Sequence, residues 1–335
     1  MRRVKCASSL GFGAFLCFLF LLADLAVSVT ALRDRPGIPA GLYVQDQDRP
    51  YAMAQNVAIS IDEGVAYTVR TNERGYRDDA WTLNATIRVL VLGDGMATGA
   101  GGPSEDAFPA KAGRLLERAN VRLYNAAVGG YGLHENLATL KRECAFLRPT
   151  LVLTAYWYDD MLPVASAPST VAAQTDKPIS SYFKLAHLRA WLSYYGWHPT
   201  QIAERIWGLA DLDASYLARY LKTGHGDFLK KERAEAAADI VLKMQAEANA
   251  CGSGFALAVL PTFAEAYYGL REPATQNLLA AIGSSVNVLD IRNHIPLGSR
   301  LMSGLDNHYD RFGNEMIAGI LADFVGNSLA LSNKP

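Results

Sequence analysis

The chain has 335 residues, half of them hydrophobic, with 32 basic and 33 acidic side chains and a net charge of −1. This length and composition suit one large α/β domain or two small ones with a sizeable core. A general nucleic-acid-binding surface needs a clustered basic excess, which the charge balance excludes, so nucleic acid is not an expected partner.

Residues 1–35 are predicted to be a membrane anchor or signal segment. A basic start precedes an apolar run of 23 residues at 10–32, which as a helix would span about 34 Å and cross a bilayer core of about 30 Å. The basic start predicts a single-pass anchor with a cytoplasmic N-terminus and a periplasmic or extracellular main domain. The Val-Thr-Ala at 29–31 resembles a cleavage site, so secretion is the alternative. Asp24 suits contact with a membrane-protein partner or a position near the outer interface.

Residues 36–86 form an extended, β-rich lead-in with a hairpin predicted to turn at 62–64. The domain at 87–330 then alternates strands and helices, which predicts a three-layer α/β/α fold around a parallel sheet. The predicted strands are 87–94, 121–128, 151–158, 255–261 and 286–291, and the predicted helices are 104–118, 135–147, 232–249, 274–282 and 314–328.

An insertion at about 162–231 interrupts the alternation and is predicted to be helical and rich in aromatic residues. Trp191, Trp197 and Trp207 lie in it, interleaved with basic side chains. A helical cap over the cleft is one interpretation. The other is contact with a membrane interface or a partner, because tryptophan and tyrosine suit surfaces that are apolar at one end and wet at the other.

A glycine-rich turn at 93–102 follows the first strand of the sheet, where α/β folds bind ligands. A phosphate-binding P-loop is excluded, because no lysine lies in this turn. Gly93, Gly95 and Gly99 loosely resemble a dinucleotide-binding turn, but the second strand ends at 125–128 without the acid that would bind the ribose. No cofactor is therefore predicted.

The residues Gly93-Asp94-Gly95, one upstream segment and three later segments resemble the conserved blocks of SGNH/GDSL hydrolases, whose first block reads Gly-Asp-Ser. TNERGYRDD (71–79) resembles an upstream N-x-x-G-x-R segment, NAAVGGYG (125–132) the second block, YWYDDML (156–162) the third, and LDNHYDRFG (305–313) the last. The resemblance covers about 71–327 and implies the flavodoxin-like sheet of that family.

The resemblance also implies the roles of the site residues. In the family the first-block serine attacks an acyl carbonyl, the last-block histidine takes its proton and an aspartate orients the imidazole. By this resemblance His308, Asp306 and the oxyanion glycine Gly130 are retained. The serine position is Gly95, which cannot form an acyl-enzyme. The oxyanion asparagine position is Asp159, whose negative charge opposes the one that would develop.

Other roles for this site remain open. His308 could activate a water molecule for direct hydrolysis, or Asp94, Asp159, Asp306 and His308 could bind a divalent metal. A third possibility is that His308 has a purely structural role and stabilises the C-terminal loop. Two further residues are expected at the cleft, Asp160 and His134, although a solvated helix start is the alternative place for His134.

Two functions follow from these observations. The first is a membrane-anchored binding or assembly subunit with a degenerate site, and the second is an esterase or acyltransferase-type enzyme that acts on acylated carbohydrate or other esters through His308 and Asp306. Cys144 and Cys251 could form a disulfide in an exported domain, although their spacing does not decide it.

Overall fold

The computed structural model describes residues 40–62, 66–161, 231–302 and 308–332, together with Phe15 and Leu19. The apolar run with Asp24, the insertion with its three tryptophans, and Asp306 therefore lie outside the described residues, and the predictions made for them stay predictions. Within the described ranges, none of the helices combines the length and apolar character that a bilayer crossing requires.

The lead-in forms two small antiparallel sheets. Strand β1 (Tyr43–Val44) pairs with β2 (Ala52–Met53), and β3 (Ala58–Asp62) pairs with β4 (Ala66–Arg70). The second pair confirms the predicted hairpin, since its strands flank the predicted turn.

The central sheet has five parallel strands, and their order is β6-β5-β7-β8-β9. They are β5 (Ile87–Leu92), β6 (Val121–Asn125), β7 (Leu151–Tyr156), β8 (Gly254–Val259) and β9 (Asn287–Asp290). The predicted parallel sheet is therefore present. From β5 the chain continues to β6 on one side of it and then crosses back to β7 on the other side. Such sheets bind ligands at the point where the strand order reverses, which here is at β5.

Seven α-helices lie in the described residues. They are α1 (Gly95–Thr98), α2 (Phe108–Leu116), α3 (Leu133–Leu147), α4 (Lys231–Ala250), α5 (Phe263–Tyr268), α6 (Pro273–Ile282) and α7 (Arg311–Ser332). The helix predicted from Ser104 begins only at Phe108, because Ser104–Asp106 form a 3₁₀ turn. The sequence did not predict α1 and α5, which are too short to show a helical period.

The two faces of the sheet are covered by different helices, as the alternation of side chains along β5 requires. Val89 and Val91 pack in a core with α2 and α7. Leu90 and Leu92 pack in a second core with α3, α4 and α6. The three-layer α/β/α architecture is thereby confirmed.

The lead-in shares this second core and is bound tightly to the sheet and to α3. The Trp81 ring lies between Tyr76 and Tyr124, with centroids 5.1 and 5.4 Å away. Tyr76 Oη donates to the buried carboxylate of Glu143 at 2.8 Å, and Arg74 Nε donates to the same carboxylate at 2.7 Å. These contacts place the lead-in where it can reach the end of the sheet.

Cys144 of α3 and Cys251, just after α4, form a disulfide with their Cα atoms 6.3 Å apart. The pairing that the sequence left open is thus made. It joins two helices on the same face of the sheet across a sequence separation of 107 residues.

Candidate active site

The candidate site lies at the carboxyl ends of β5, β6 and β7. Because β5 pairs with both neighbours, the segments that follow these three strands meet at one edge of the sheet. These segments are the first-block turn at 93–95, the second-block loop at 126–132 and the third-block turn at 157–160. The structure thus brings together the segments that the sequence assigned to one site.

The first-block turn is held by hydrogen bonds at both of its sides. The Asp94 carboxylate caps α1 by accepting the Met96 N–H at 2.9 Å. The Gly93 N–H donates to Asn136 Oδ1 of α3 at 3.1 Å. Gly95 is consequently the first residue of a short, buried helix, with a fixed position relative to the sheet.

The His308 imidazole lies directly against Gly95. A β-carbon built on Gly95 would lie 2.9 Å from His308 Nε2, closer than such carbons ordinarily approach a nitrogen, and 3.8 Å from the Ala100 β-carbon. The imidazole therefore takes up the space in which a serine side chain would begin.

Two tyrosines from the lead-in surround the second-block glycines. Tyr51 Oη donates to the Gly129 carbonyl at 2.8 Å and would lie 2.7 Å from a β-carbon on Gly130. A β-carbon on Gly129 would lie 3.0 Å from Tyr43 Oη and 4.0 Å from Gly95 Cα. The Tyr51 hydroxyl thus lies beside Gly130, which the family resemblance assigns to the oxyanion hole, and the Tyr43 hydroxyl lies beside the preceding glycine. Sequence reasoning missed both, because nothing in their local pattern distinguishes them from core tyrosines.

The third-block turn places two carboxylates in different environments. Asp159 is exposed, whereas Asp160 is buried. Asp160 Oδ2 accepts the Trp157 N–H at 2.8 Å, and the Asp160 carbonyl accepts the Leu133 N–H at 2.8 Å. Asp160 therefore shapes the turn, while Asp159 presents its charge at the edge of the site.

Asp94, Asp159 and Asp160 form a cluster in which each residue has one carboxylate oxygen within 4.8 Å of those of the other two. Burial, and after it the charge of Asp159, raise the pKa of Asp94 to about 7 against the opposing effects of the Met96 N–H and His308. Burial, and after it the charges of Asp94 and Asp159, raise the pKa of Asp160 well above its ordinary value. The cluster is a poor place for a second negative charge such as an oxyanion.

This cluster differs from the metal site considered from the sequence. The structure brings Asp94 and Asp159 together, but their third neighbour is Asp160 and Asp306 lies outside the described residues. Carboxylate oxygens suit hard cations, yet Asp160 already accepts a backbone N–H. Among the described residues nothing further indicates a bound ion, and we assign no metal.

His134 lies exposed in the first turn of α3. Its neighbour Glu135, not His134, is turned inward, where the carboxylate accepts the Gly132 N–H at 3.0 Å. This position matches the solvated helix start that was the alternative to a place at the cleft.

Arg77, from the N-x-x-G-x-R segment, holds the far side of the first-block turn. Its buried guanidinium donates to the carbonyls of Thr98 at 3.2 Å and Gly99 at 2.7 Å, and also to that of Gly102. The segment is itself folded around Asn72 Oδ1, which accepts two backbone N–H groups. The sequence contained the signal for this contact, since the motif was recognised, but its partner was not predictable.

No family model and no curated protein matches the chain. Among solved structures, it is similar to TesA, with 13% identity, 72% of this chain and 98% of that chain covered, and a TM-score of 0.43. A lipase/acylhydrolase from Enterococcus faecalis has 11% identity, coverage of 72% and 97%, and a TM-score of 0.42. A protein from Desulfitobacterium hafniense assigned to the G-D-S-L lipolytic family has 13% identity, coverage of 71% and 99%, and a TM-score of 0.41. Such distant similarities concern the fold alone. The similar structures include a member of the family that the sequence motifs resemble.

Replacing Gly95 with serine tests the contact with His308. Because the new β-carbon would meet Nε2 at 2.9 Å, we expect Gly95→Ser to lower the free energy of unfolding by about 1–3 kcal/mol. We also expect no labelling by a fluorophosphonate probe, since the carboxylates of Asp94, Asp159 and Asp160 lie at the turn where the probe would need hydrogen-bond donors. Urea unfolding and the probe measure the two effects.

Gly319→Ser is the matched control, because a β-carbon on this glycine of α7 meets no atom within 4 Å. It should leave stability unchanged or raise it slightly, as serine has the better helix propensity. Efficient labelling of Gly95→Ser at full stability would contradict the proposed contact.

The raised pKa of Asp94 predicts a pH dependence of stability. A carboxyl whose pKa is about 7 when folded and about 4 when unfolded binds more protons in the folded state, so its contribution is full below pH 4 and lost as the pH rises towards 7. Asp94→Asn removes this loss and can still cap α1. We expect the variant to gain about 1–2 kcal/mol over the wild type between pH 4.5 and 7.5, measured by urea unfolding.

Asp323→Asn, which changes an exposed carboxyl of α7, serves as the control and should follow the wild type at every pH. A constant difference between Asp94→Asn and wild type across this range would contradict the raised pKa.

Proposed function

We propose that this protein is an exported, membrane-anchored domain with a degenerate hydrolase site that acts as a binding or assembly subunit of a membrane or envelope complex. The observation that carries the proposal is the position of His308 Nε2, 2.9 Å from where the β-carbon of residue 95 would lie. The histidine that would activate a nucleophile is packed against a residue that has none.

The missing nucleophile alone accounts for most of the expected loss of activity. In serine hydrolases, removal of the serine costs on the order of a millionfold in turnover, because covalent catalysis depends on the whole triad. Gly95 keeps its backbone N–H, which can bind a ligand, but it has no side chain that can attack one.

The charges around the turn argue in the same direction. An ester hydrolase stabilises a developing negative charge with hydrogen-bond donors, and the loss of one donor costs about 3–4 kcal/mol. Here the donor position is Asp159, and its carboxylate lies within 4.8 Å of those of Asp94 and Asp160. This arrangement favours a ligand that donates hydrogen bonds over an oxyanion.

Two features support an exported location. The apolar run at 10–32 is long enough for a membrane-spanning helix. The Cys144–Cys251 disulfide is of a kind that persists in oxidising compartments and is rare in the cytosol.

The alternative is an esterase or acyltransferase-type enzyme that uses His308 with Asp306. The observation in its favour is that the imidazole still lies at the first-block turn, beside a carboxyl whose pKa is near 7. A group with such a pKa can exchange a proton at neutral pH. The substrate would then be an acylated carbohydrate or another ester.

Activity of the full chain in detergent separates the two functions. We expect hydrolysis of small acetyl esters, followed by acetate release, to stay at the buffer rate for both the wild type and His308→Ala. Turnover well above that rate that disappears in His308→Ala would contradict the binding function and establish the alternative. Circular dichroism of both proteins controls for folding.

The partner is tested through Asp24, the acid of the apolar run. A carboxyl in a spanning helix ordinarily faces a partner or water, so we expect Asp24→Leu to lose a membrane protein that co-purifies with the wild type. The neighbouring Ala23→Leu adds apolar volume without removing the acid and should retain it. Equal recovery with all three chains would contradict a role for Asp24.

A further inference from the structure

An apolar and aromatic patch lies beside the candidate site. We call it the α5 rim and define it as Phe263, Tyr267, Tyr268, Leu270 and Leu297. The Tyr267 ring lies 5.2 Å from that of Phe263 and 4.8 Å from that of Tyr268. Leu270 and Leu297 are 58% and 73% exposed, so they add large aliphatic surface to the aromatic rings.

The rim is held in place by the backbone. The Gly298 N–H donates to the Ala266 carbonyl of α5 at 3.1 Å. The Leu297 side chain lies close to Gly269, with Cδ1 3.1 Å from where a β-carbon on that glycine would lie. The segments that carry the two leucines are therefore joined to each other.

The rim belongs to the same edge of the sheet as the candidate site. Its segments follow the carboxyl ends of β8 and β9, and Tyr309 Oη, one residue after His308, donates to the Pro261 carbonyl at 2.9 Å. The lead-in also reaches this edge, because Tyr43 Oη lies beside Gly129.

The predicted membrane segment is therefore tethered close to this edge. It ends at Leu32, and the eleven residues from there to Tyr43 can extend at most about 40 Å. This tether holds the domain within about one domain diameter of the membrane surface, with its attachment on the side of the site.

The side chains around the rim suit a lipid surface. Aromatic rings and leucines partition into the boundary between headgroups and acyl chains, and arginines bind lipid phosphates. The Arg300 guanidinium lies 5.7 Å from the Tyr267 ring centre, and the exposed Arg271 donates to Asn293 Oδ1 at 2.7 Å. Cations therefore border the apolar surface, as in proteins that rest on membranes.

We propose that the α5 rim rests on the phospholipid surface of the membrane that carries the N-terminal segment, so that the candidate site opens towards the lipid. This inference rests on the anchoring included in the proposed function. It adds a second contact with the membrane and an orientation of the domain.

Fluorescence quenching of the full chain in vesicles tests the orientation. In a Cys6→Ser, Cys17→Ser background, Leu270→Cys, Leu297→Cys and Leu115→Cys are each labelled with an environment-sensitive dye. The vesicles contain phosphatidylcholine, phosphatidylglycerol and a headgroup-spin-labelled lipid. Leu115 is the matched control, since it is 63% exposed near the end of α2, at the opposite edge of the sheet.

We expect dyes at 270 and 297 to be quenched several-fold more strongly than the dye at 115. Vesicle association with equal, weak quenching at all three positions would overturn the rim contact and leave the anchoring intact. Absence of association would overturn both proposals. A third outcome would assign the rim to a second copy of the chain instead. In that case the dyes at 270 and 297 are shielded from solvent in detergent, the protein has twice the molecular mass of one chain, and lipid quenching is absent.

Leu270→Glu with Leu297→Glu separates the rim from the anchor. We expect the doubly substituted chain to stay in the membrane through alkaline carbonate extraction while a dye on α5 at Tyr268→Cys loses its quenching. Loss of membrane association altogether would mean that the rim holds the domain there and the anchor does not. Unchanged quenching would overturn the rim contact.

Discussion

The contact between His308 and Gly95 is the constraint on which the site depends. Only a residue without a β-carbon lets the imidazole come this close to the first-block turn, and the turn cannot retreat because Asn136 holds it on one side and Arg77 on the other. Glycine at 95 is therefore part of a packed arrangement, in which the absent side chain and the position of the histidine depend on each other. Restoring a hydrolase here would require moving His308 as well as adding a serine.

Most of the fold was predictable, because it rests on signals that are local and repeated. Each strand of the central sheet lies in a short segment rich in apolar residues, and these segments alternate with longer helix-like ones, so their existence and order followed from the sequence. The short helices α1 and α5 did not, since a single turn of helix has no period to recognise. The late start of α2 at Phe108 depends on a 3₁₀ turn and on the Phe108 N–H donating to Asn314 of α7, a contact 206 residues away in sequence.

The site was predictable where motifs follow strands and unpredictable where distant segments meet it. Gly95, Asp159 and His308 were found because each lies within a recognisable block. Tyr43 and Tyr51 were not, since their relation to Gly129 and Gly130 is created only when the lead-in packs on α3. Membership of a recognisable motif separates the two groups.

The disulfide between α3 and α4 has a consequence for the integrity of the chain. Cys144 precedes residues 162–230 and Cys251 follows them, so the bond closes a loop that contains this entire stretch. A protease that cut the chain anywhere within it would produce two fragments that stay covalently joined and share one sheet. The protein can thus be nicked there without coming apart, and its halves would separate only if the disulfide were reduced and the sheet between β7 and β8 were also disrupted.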